Sequence, residues 1–121
     1  MNKTYEHQEQ KALIEWANHY SKTIPELSLL NASMNGVKLT NAIAGKRAKQ
    51  QGLKSGYPDL FLPVARQDKH GLFIELKTKT GKLQPNQKEW LNKLNEQGYL
   101  ALVCYGQDSA RIEILKYLNC K

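Results

Sequence analysis

The chain has 121 residues, with 18 Lys and Arg against 11 Asp and Glu, a formal net charge of +7. That length fits one domain, residues 1–121, with room for a real core and none for two. At 40% hydrophobic and 24% charged residues, the composition is that of a globular protein and argues against disorder. Apolar runs are a few residues long, short of the roughly 18–20 that span a bilayer. No basic start leads into an apolar stretch, so the expected location is cytoplasmic, with no membrane partner. Cys104 and Cys120 belong to no CxxC pair or Cys/His cluster, which supports neither a structural zinc site nor a disulfide framework.

Along the chain, Ala12, Leu13, Trp16, Ala17 and Tyr20 recur at helical steps, and the spacing predicts a helix over Thr4–Tyr20. Thr4 is the expected N-cap, and Glu6 in the first turn suits the helix dipole. Pro25 breaks this helix. Leu27–Ala32 reads as a short strand leading to an Asn35-Gly36 turn. Thr40–Gln51 reads as a short basic helix closed by Gly52, and Lys54–Pro58 as a turn. Asp59–Val64 and Leu72–Thr78 read as strands close enough to form an antiparallel hairpin across a polar turn at Arg66–Gly71.

Pro85 suits the first turn of a helix running to about Gln97, with Gln87, Trp90, Leu91 and Leu94 on one side and Gly98 at its end. Tyr99–Tyr105 is strongly apolar and is expected to be buried on both faces. A last helix begins at Asp108 or Ser109, with Ile112, Leu115 and Leu118 inward. The order α-β-α-β-β-α-β-α predicts a mixed α/β sheet covered by helices.

Charge is distributed unevenly along this order. Residues 38–54 carry Lys38, Lys46, Arg47, Lys49 and Lys54 and no acid. A compact basic segment beside a nearly balanced remainder suits a polyanion such as nucleic acid.

Asp59, Glu75 and Lys77 carry the chemistry. Glu75 and Lys77 are two apart on one strand and so share a face. Asp59 opens the neighbouring strand, where its carboxylate can stand beside Glu75. Two carboxylates and an ammonium on one sheet face suit a hard divalent cation, Mg²⁺ or Mn²⁺, and phosphodiester hydrolysis. Lys77 would orient the attacking water or stabilise charge in the transition state. A Glu-Leu-Lys triplet alone is common on solvent faces, but Leu72-Phe73-Ile74 before it and a sharp turn after it make this strand central. His7, His19 and His70 are scattered and read as surface residues, and Trp16 and Trp90 as core. Gly45-Lys46 does not make a phosphate loop, because Thr40 and Arg47 stand where glycine and Ser or Thr are needed; no nucleotide cofactor is expected.

Pro58-Asp59 followed by Glu75-Leu76-Lys77 resembles the PD-(D/E)xK nuclease signature. The blocks Gly56–Leu60, Phe73–Thr78, Gly81–Leu83, Gln84–Leu91 and Gly98-Tyr99, in that order, are similar to those of the VRR-NUC family. Glu6 and Gln10 match that family's N-terminal acid and glutamine. The resemblance implies a restriction-endonuclease-like core and metal held by Asp59, Glu75 and the Leu76 carbonyl. It also implies a catalytic Lys77. An acid from the first helix completes such sites in the wider group: Glu6 is the match, and Glu9, one turn away, the competitor. Gln87 resembles the family glutamine that follows the catalytic strand, with substrate binding or orientation of Lys77 as its role.

Stand-alone members of the family resemble Holliday-junction resolvases and often come from phages or prophages, which places the expected cytoplasm in a bacterium or an infected host. The expected activity is a metal-dependent endonuclease on branched DNA, with Lys46, Arg47, Lys49, Lys54, Lys79 and Lys82 on phosphates. Two cuts need two sites, so a homodimer is expected. The alternatives are a non-catalytic nucleic-acid-binding protein on the same fold, and a flap or restriction-type nuclease.

Overall fold

The structure, a computed structural model, describes residues 3–33 and 42–119. In chain order it comprises α1 (Lys3–Tyr20), a 3₁₀ turn (Pro25–Leu29), β1 (Asn31–Ala32), α2 (Ala42–Gln50), β2 (Leu60–Leu62), β3 (Leu72–Lys77), α3 (Pro85–Glu96), β4 (Leu100–Tyr105) and α4 (Gln107–Leu118). The predicted order of helices and strands therefore holds. The four strands lie in the order β1-β2-β3-β4. The expected β2/β3 hairpin is antiparallel, while β3 and β4 run parallel and are joined by α3 as a crossover.

Alternation along β3 divides the core in two. Leu72, Ile74 and Leu76 enter the larger cluster with Leu13 and Ala17 of α1 and Ile114 and Tyr117 of α4. Phe73 points the other way, to Leu91 of α3 and Ala101, with Phe61 stacked on it at a centroid distance of 4.2 Å. All six residues of β3 are buried, as a central strand requires. Tyr117 Oη donates to the Val64 carbonyl at 2.6 Å, so the phenol buried in the larger cluster keeps a partner.

The structure corrects several readings. The stretch expected as a strand over Leu27–Ala32 is mostly the 3₁₀ turn, with only Asn31 and Ala32 extended. Pro25 sits at the start of the turn, where its missing N–H costs nothing, and the Leu27 and Leu30 amides close three-residue bonds to Ile24 and Leu27. α1 begins at Lys3, so Thr4 lies inside it and is not its N-cap. β4 is not buried on both faces: it is an edge strand, with Ala101 and Cys104 buried, Leu102 and Val103 half-buried and Tyr105 exposed. α4 begins at Gln107 and turns Ala110, Ile114, Tyr117 and Leu118 inward, leaving Ile112 59% exposed. The Asn35-Gly36 turn and Cys120 lie outside the described residues.

Candidate active site

Register and alternation build the site. Leu60 pairs with Ile74 in the antiparallel ladder, and one step further the same register sets Asp59 opposite Glu75. Phe73, Glu75 and Lys77 share the face turned away from the larger core. Beyond the end of β2, the Leu76 N–H donates to Asp59 Oδ2 at 2.8 Å, so a side chain continues the ladder and fixes the carboxylate.

The first turn of α3 supplies the next group. Gln87 Oε1 accepts the Gln84 N–H at 2.8 Å, which leaves Nε2 to donate to Glu75 Oε2 at 3.2 Å. The same oxygen lies 3.9 Å from Lys77 Nζ. Gln87 therefore touches Glu75, where sequence reasoning offered substrate or Lys77 as its partner. The loop before Asp59 is held against α3 by Asn86 Nδ2 donating to Ser55 Oγ at 2.9 Å and by Trp90 Nε1 donating to the Ser55 carbonyl at 3.2 Å. Gly56 permits this approach: its φ is +87°, and a Cβ there would sit 2.9 Å from the Asn86 backbone.

From the other side, α1 presents Glu6, Gln10, Leu13 and Ala17 as one helical stripe. Leu13 and Ala17 enter the core, and Glu6 and Gln10 line the cavity above Asp59 and Glu75. Glu6 and the buried Thr78 hydroxyl both approach Gly81, where an added Cβ would meet Thr78 Oγ1 at 3.2 Å and Glu6 Oε2 at 3.4 Å. Glu9 points elsewhere: its Oε2 accepts the Gln107 N–H at 3.2 Å, at the dipole-positive start of α4. Of the two competing acids, the geometry brings Glu6 to the cavity.

The cavity has a volume of about 680 Å³ and is lined by Glu6, Asp59, Glu75, Leu76, Lys77 and Gln87, among others. Lys82 is on its wall. Lys46, Arg47 and Lys49 stand exposed on α2, and Lys54 and Lys79 are exposed on loops; none of these five lines the cavity. His7, Ser55, Tyr57 and Asn86 also line it and were not singled out from sequence as site residues. For His7 the available signal was its place next to Glu6; for Ser55, Tyr57 and Asn86 it was their place inside the Gly56–Leu60 and Gln84–Leu91 blocks or beside them.

Like charges set directly opposite on neighbouring strands are destabilising, and burial sharpens the cost. Here the two carboxyl groups act directly on each other's ionisation. Burial pushes the Asp59 carboxyl above its ordinary range, against the pull of Glu75, the Leu76 N–H and Lys77. Glu75 is pushed up to about 9, first by burial, then by the Asp59 carboxyl, with Lys77 opposing and Glu6 adding to the rise. Without a cation, the pair as a whole favours holding a proton. Among the described residues no three His, Cys, Asp or Glu side chains converge as a ligand cluster. The donors that do converge are two carboxylates beside the Leu76 backbone. This all-oxygen pair carries excess negative charge when ionised, so it fits a hard divalent ion, which would relieve the repulsion.

The mixed sheet flanked by helices is a restriction-endonuclease-like fold, with this carboxylate pair on its central strand and the residue before its neighbour. The VRR-NUC domain model matches residues 2–108, and the chain belongs to that family, which makes it a nuclease-type domain. A solved structure described as a VRR_NUC domain protein is similar with a TM-score of 0.77 and 30% identity, over 94% of this chain and 88% of that one. No curated protein matches the chain. No helix among the described residues is long and apolar enough to cross a membrane.

Proposed function

We propose that the chain is a Mg²⁺- or Mn²⁺-dependent endonuclease that hydrolyses phosphodiester bonds in branched DNA, in the manner of a Holliday-junction resolvase. The observation that carries this reading is the buried Glu75 beside the half-buried Asp59, with the buried Lys77 ammonium next to them, all opening on a cavity rather than sealed in the core. Simple nucleic-acid binding gains nothing from buried acids facing phosphate.

Asp59, Glu75 and the Leu76 carbonyl would hold the ion, which would supply Lewis-acid polarisation of the phosphoryl group and activation of the attacking water. The chain's own groups do the rest. Gln87 holds Glu75 Oε2 in place through its pinned amide. Lys77 stabilises the charge that develops on the phosphate, or orients the water. Glu6 adds a carboxylate to the cavity wall, where it accepts a hydrogen bond from water. Lys82 holds phosphate at the wall, and Lys46, Arg47, Lys49, Lys54 and Lys79 hold it further out. Two strands of a branched substrate call for two such sites, hence a homodimer.

The test is cleavage of junction, flap and linear DNA in Mg²⁺, Mn²⁺ and EDTA. Junction cutting in either metal and silence in EDTA is expected. Full cleavage in EDTA would sink the metal assignment. Preference for flap or linear DNA would replace the junction reading. Binding without cleavage of any substrate would make the chain a non-catalytic binder.

A further inference from the structure

A second cavity adjoins the first. Its volume is about 400 Å³, in the range of small-ligand pockets, and its lining includes Ala48, Gln51, Leu53, Lys54, Tyr57 and Trp90. Tyr57 lines both cavities. The Tyr57 and Trp90 rings meet edge to face, with centroids 5.1 Å apart and planes at 80°. Trp90 is held in that pose by its bond to the Ser55 carbonyl. Among the described residues no carboxylate lines this cavity, and the helix above it, α2, carries Lys46, Arg47 and Lys49 and no acid.

We infer that this aromatic cavity takes one unpaired nucleobase of the DNA whose phosphate lies in the carboxylate cavity. The inference rests on the nuclease reading and adds to it a site for a base. Three observations converge on that occupant. Aromatic rings accept the face of any base, with apolar Ala48 and Leu53 beside them and the Gln51 amide available to a base edge. Lys54 lines this cavity, and α2 beside it carries bases and no acid, which suits the phosphates on that side of the base. Tyr57 stands two residues before Asp59, within about 7 Å along the backbone, so the base belongs to a nucleotide beside the bond to be cut. A base can enter only if it is out of the stack, and this favours substrates with unpaired positions next to the cleavage point.

The test uses three duplexes differing at one position: an unpaired 2-aminopurine, the same base paired, and an abasic residue. Binding is measured in Ca²⁺ by anisotropy, and stacking by 2-aminopurine fluorescence. The unpaired base should be quenched on binding, and the abasic duplex should bind about tenfold more weakly, as loss of one base–aromatic stack implies. Ala48→Trp, which fills the cavity from a helix without buried residues, should abolish both effects and leave affinity for the paired duplex unchanged. A thermal melt of the variant checks its fold, and the comparison of the three duplexes on the wild-type chain needs no variant. Equal affinity for the abasic and unpaired-base duplexes, with unchanged fluorescence, overturns the base site and leaves the nuclease reading standing. A change of oligomeric state in Ala48→Trp with unaltered DNA discrimination assigns the cavity to a second copy of the chain and also overturns it. Failure to bind all three duplexes, with no metal-dependent cleavage, removes the nuclease reading and the base site with it.

Discussion

Lys77 is 7% exposed and has its ammonium 3.9 Å from Glu75 Oε2, so its charge is neither a surface charge nor a tightly made ion pair. One ammonium adds little to a DNA footprint made by many bases, but it weighs more where charge develops during reaction. Lys77→Met keeps the aliphatic stem packed and removes only the charge. Single-turnover cleavage in Mg²⁺ should fall about 10²–10³-fold, while binding in Ca²⁺ and the thermal midpoint change little. Wild-type cleavage by Lys77→Met would reduce Lys77 to a strand lysine. Asp59→Asn should also lose cleavage, but with DNA affinity equal or higher, since a carboxylate repels phosphate.

The carboxylate pair makes a separate prediction in pH. Glu75 rises from an ordinary 4.5 to about 9 in the fold, so between those values the folded state binds more protons than the unfolded state. Stability of the metal-free protein is therefore greatest below about 4.5, as far as this group goes, and declines as pH rises toward 9. Urea midpoints in EDTA at pH 5, 7 and 9 should fall in that order, and Glu75→Gln should flatten the trend. Mg²⁺ or Mn²⁺ should restore the midpoint most at high pH and should release protons on binding. A wild-type midpoint that rises from pH 5 to pH 9 in EDTA would contradict the shared-proton description of the pair.

Among the elements, those whose partners are local were the most legible. The β2/β3 hairpin, the inward face of α3 and the basic α2 follow from spacing, turn residues and the position of Pro85. Asp59 opposite Glu75 was legible for the same reason, because a short antiparallel hairpin with alternating burial leaves few registers. What stayed hidden depends on distant neighbours. Whether an apolar strand such as β4 is central or at an edge is decided by what pairs beside it, not by its own residues. The face α4 buries is set by its packing on α1 and the sheet, which is why Ile112 faces outward and Ile114 inward. Gln87 was singled out, but its contact with Glu75 depends on how α3 starts.

That start is tied to Gly56. Gly56→Ala would place a Cβ 2.9 Å from the Asn86 backbone at a φ of +87°. The strain should cost about 1–3 kcal/mol in a denaturant titration. Displacing Asn86 also moves its neighbour Gln87, so metal affinity should fall as well, which a change confined to the loop would not cause. Unchanged stability and metal affinity would show that the loop and α3 are not coupled through this contact.

Across the whole molecule, charge and chemistry are separated. Of the acids that define the site, Glu75 lies buried on the central strand and Asp59 half-buried just before β2, while the densest run of bases lies on α2, which has no buried residue and contributes nothing to either core cluster. That separation makes the DNA footprint testable without disturbing the fold. Replacing Lys46, Arg47 and Lys49 by Gln should leave the thermal midpoint nearly unchanged, since exposed substitutions usually shift stability by under about 0.5 kcal/mol. If the three side chains sit on phosphates, log affinity against log salt should lose about 0.9 of slope per contact removed, up to nearly 3 for all three. The loss should be the same for unrelated sequences, because phosphate contacts position the duplex and do not read it. It should appear in binding and in cleavage at low DNA concentration, but not in the single-turnover rate at saturating DNA, since none of the three lines the carboxylate cavity. A wild-type salt slope in the triple variant would remove α2 from the footprint and leave phosphate holding to Lys54, Lys79 and Lys82.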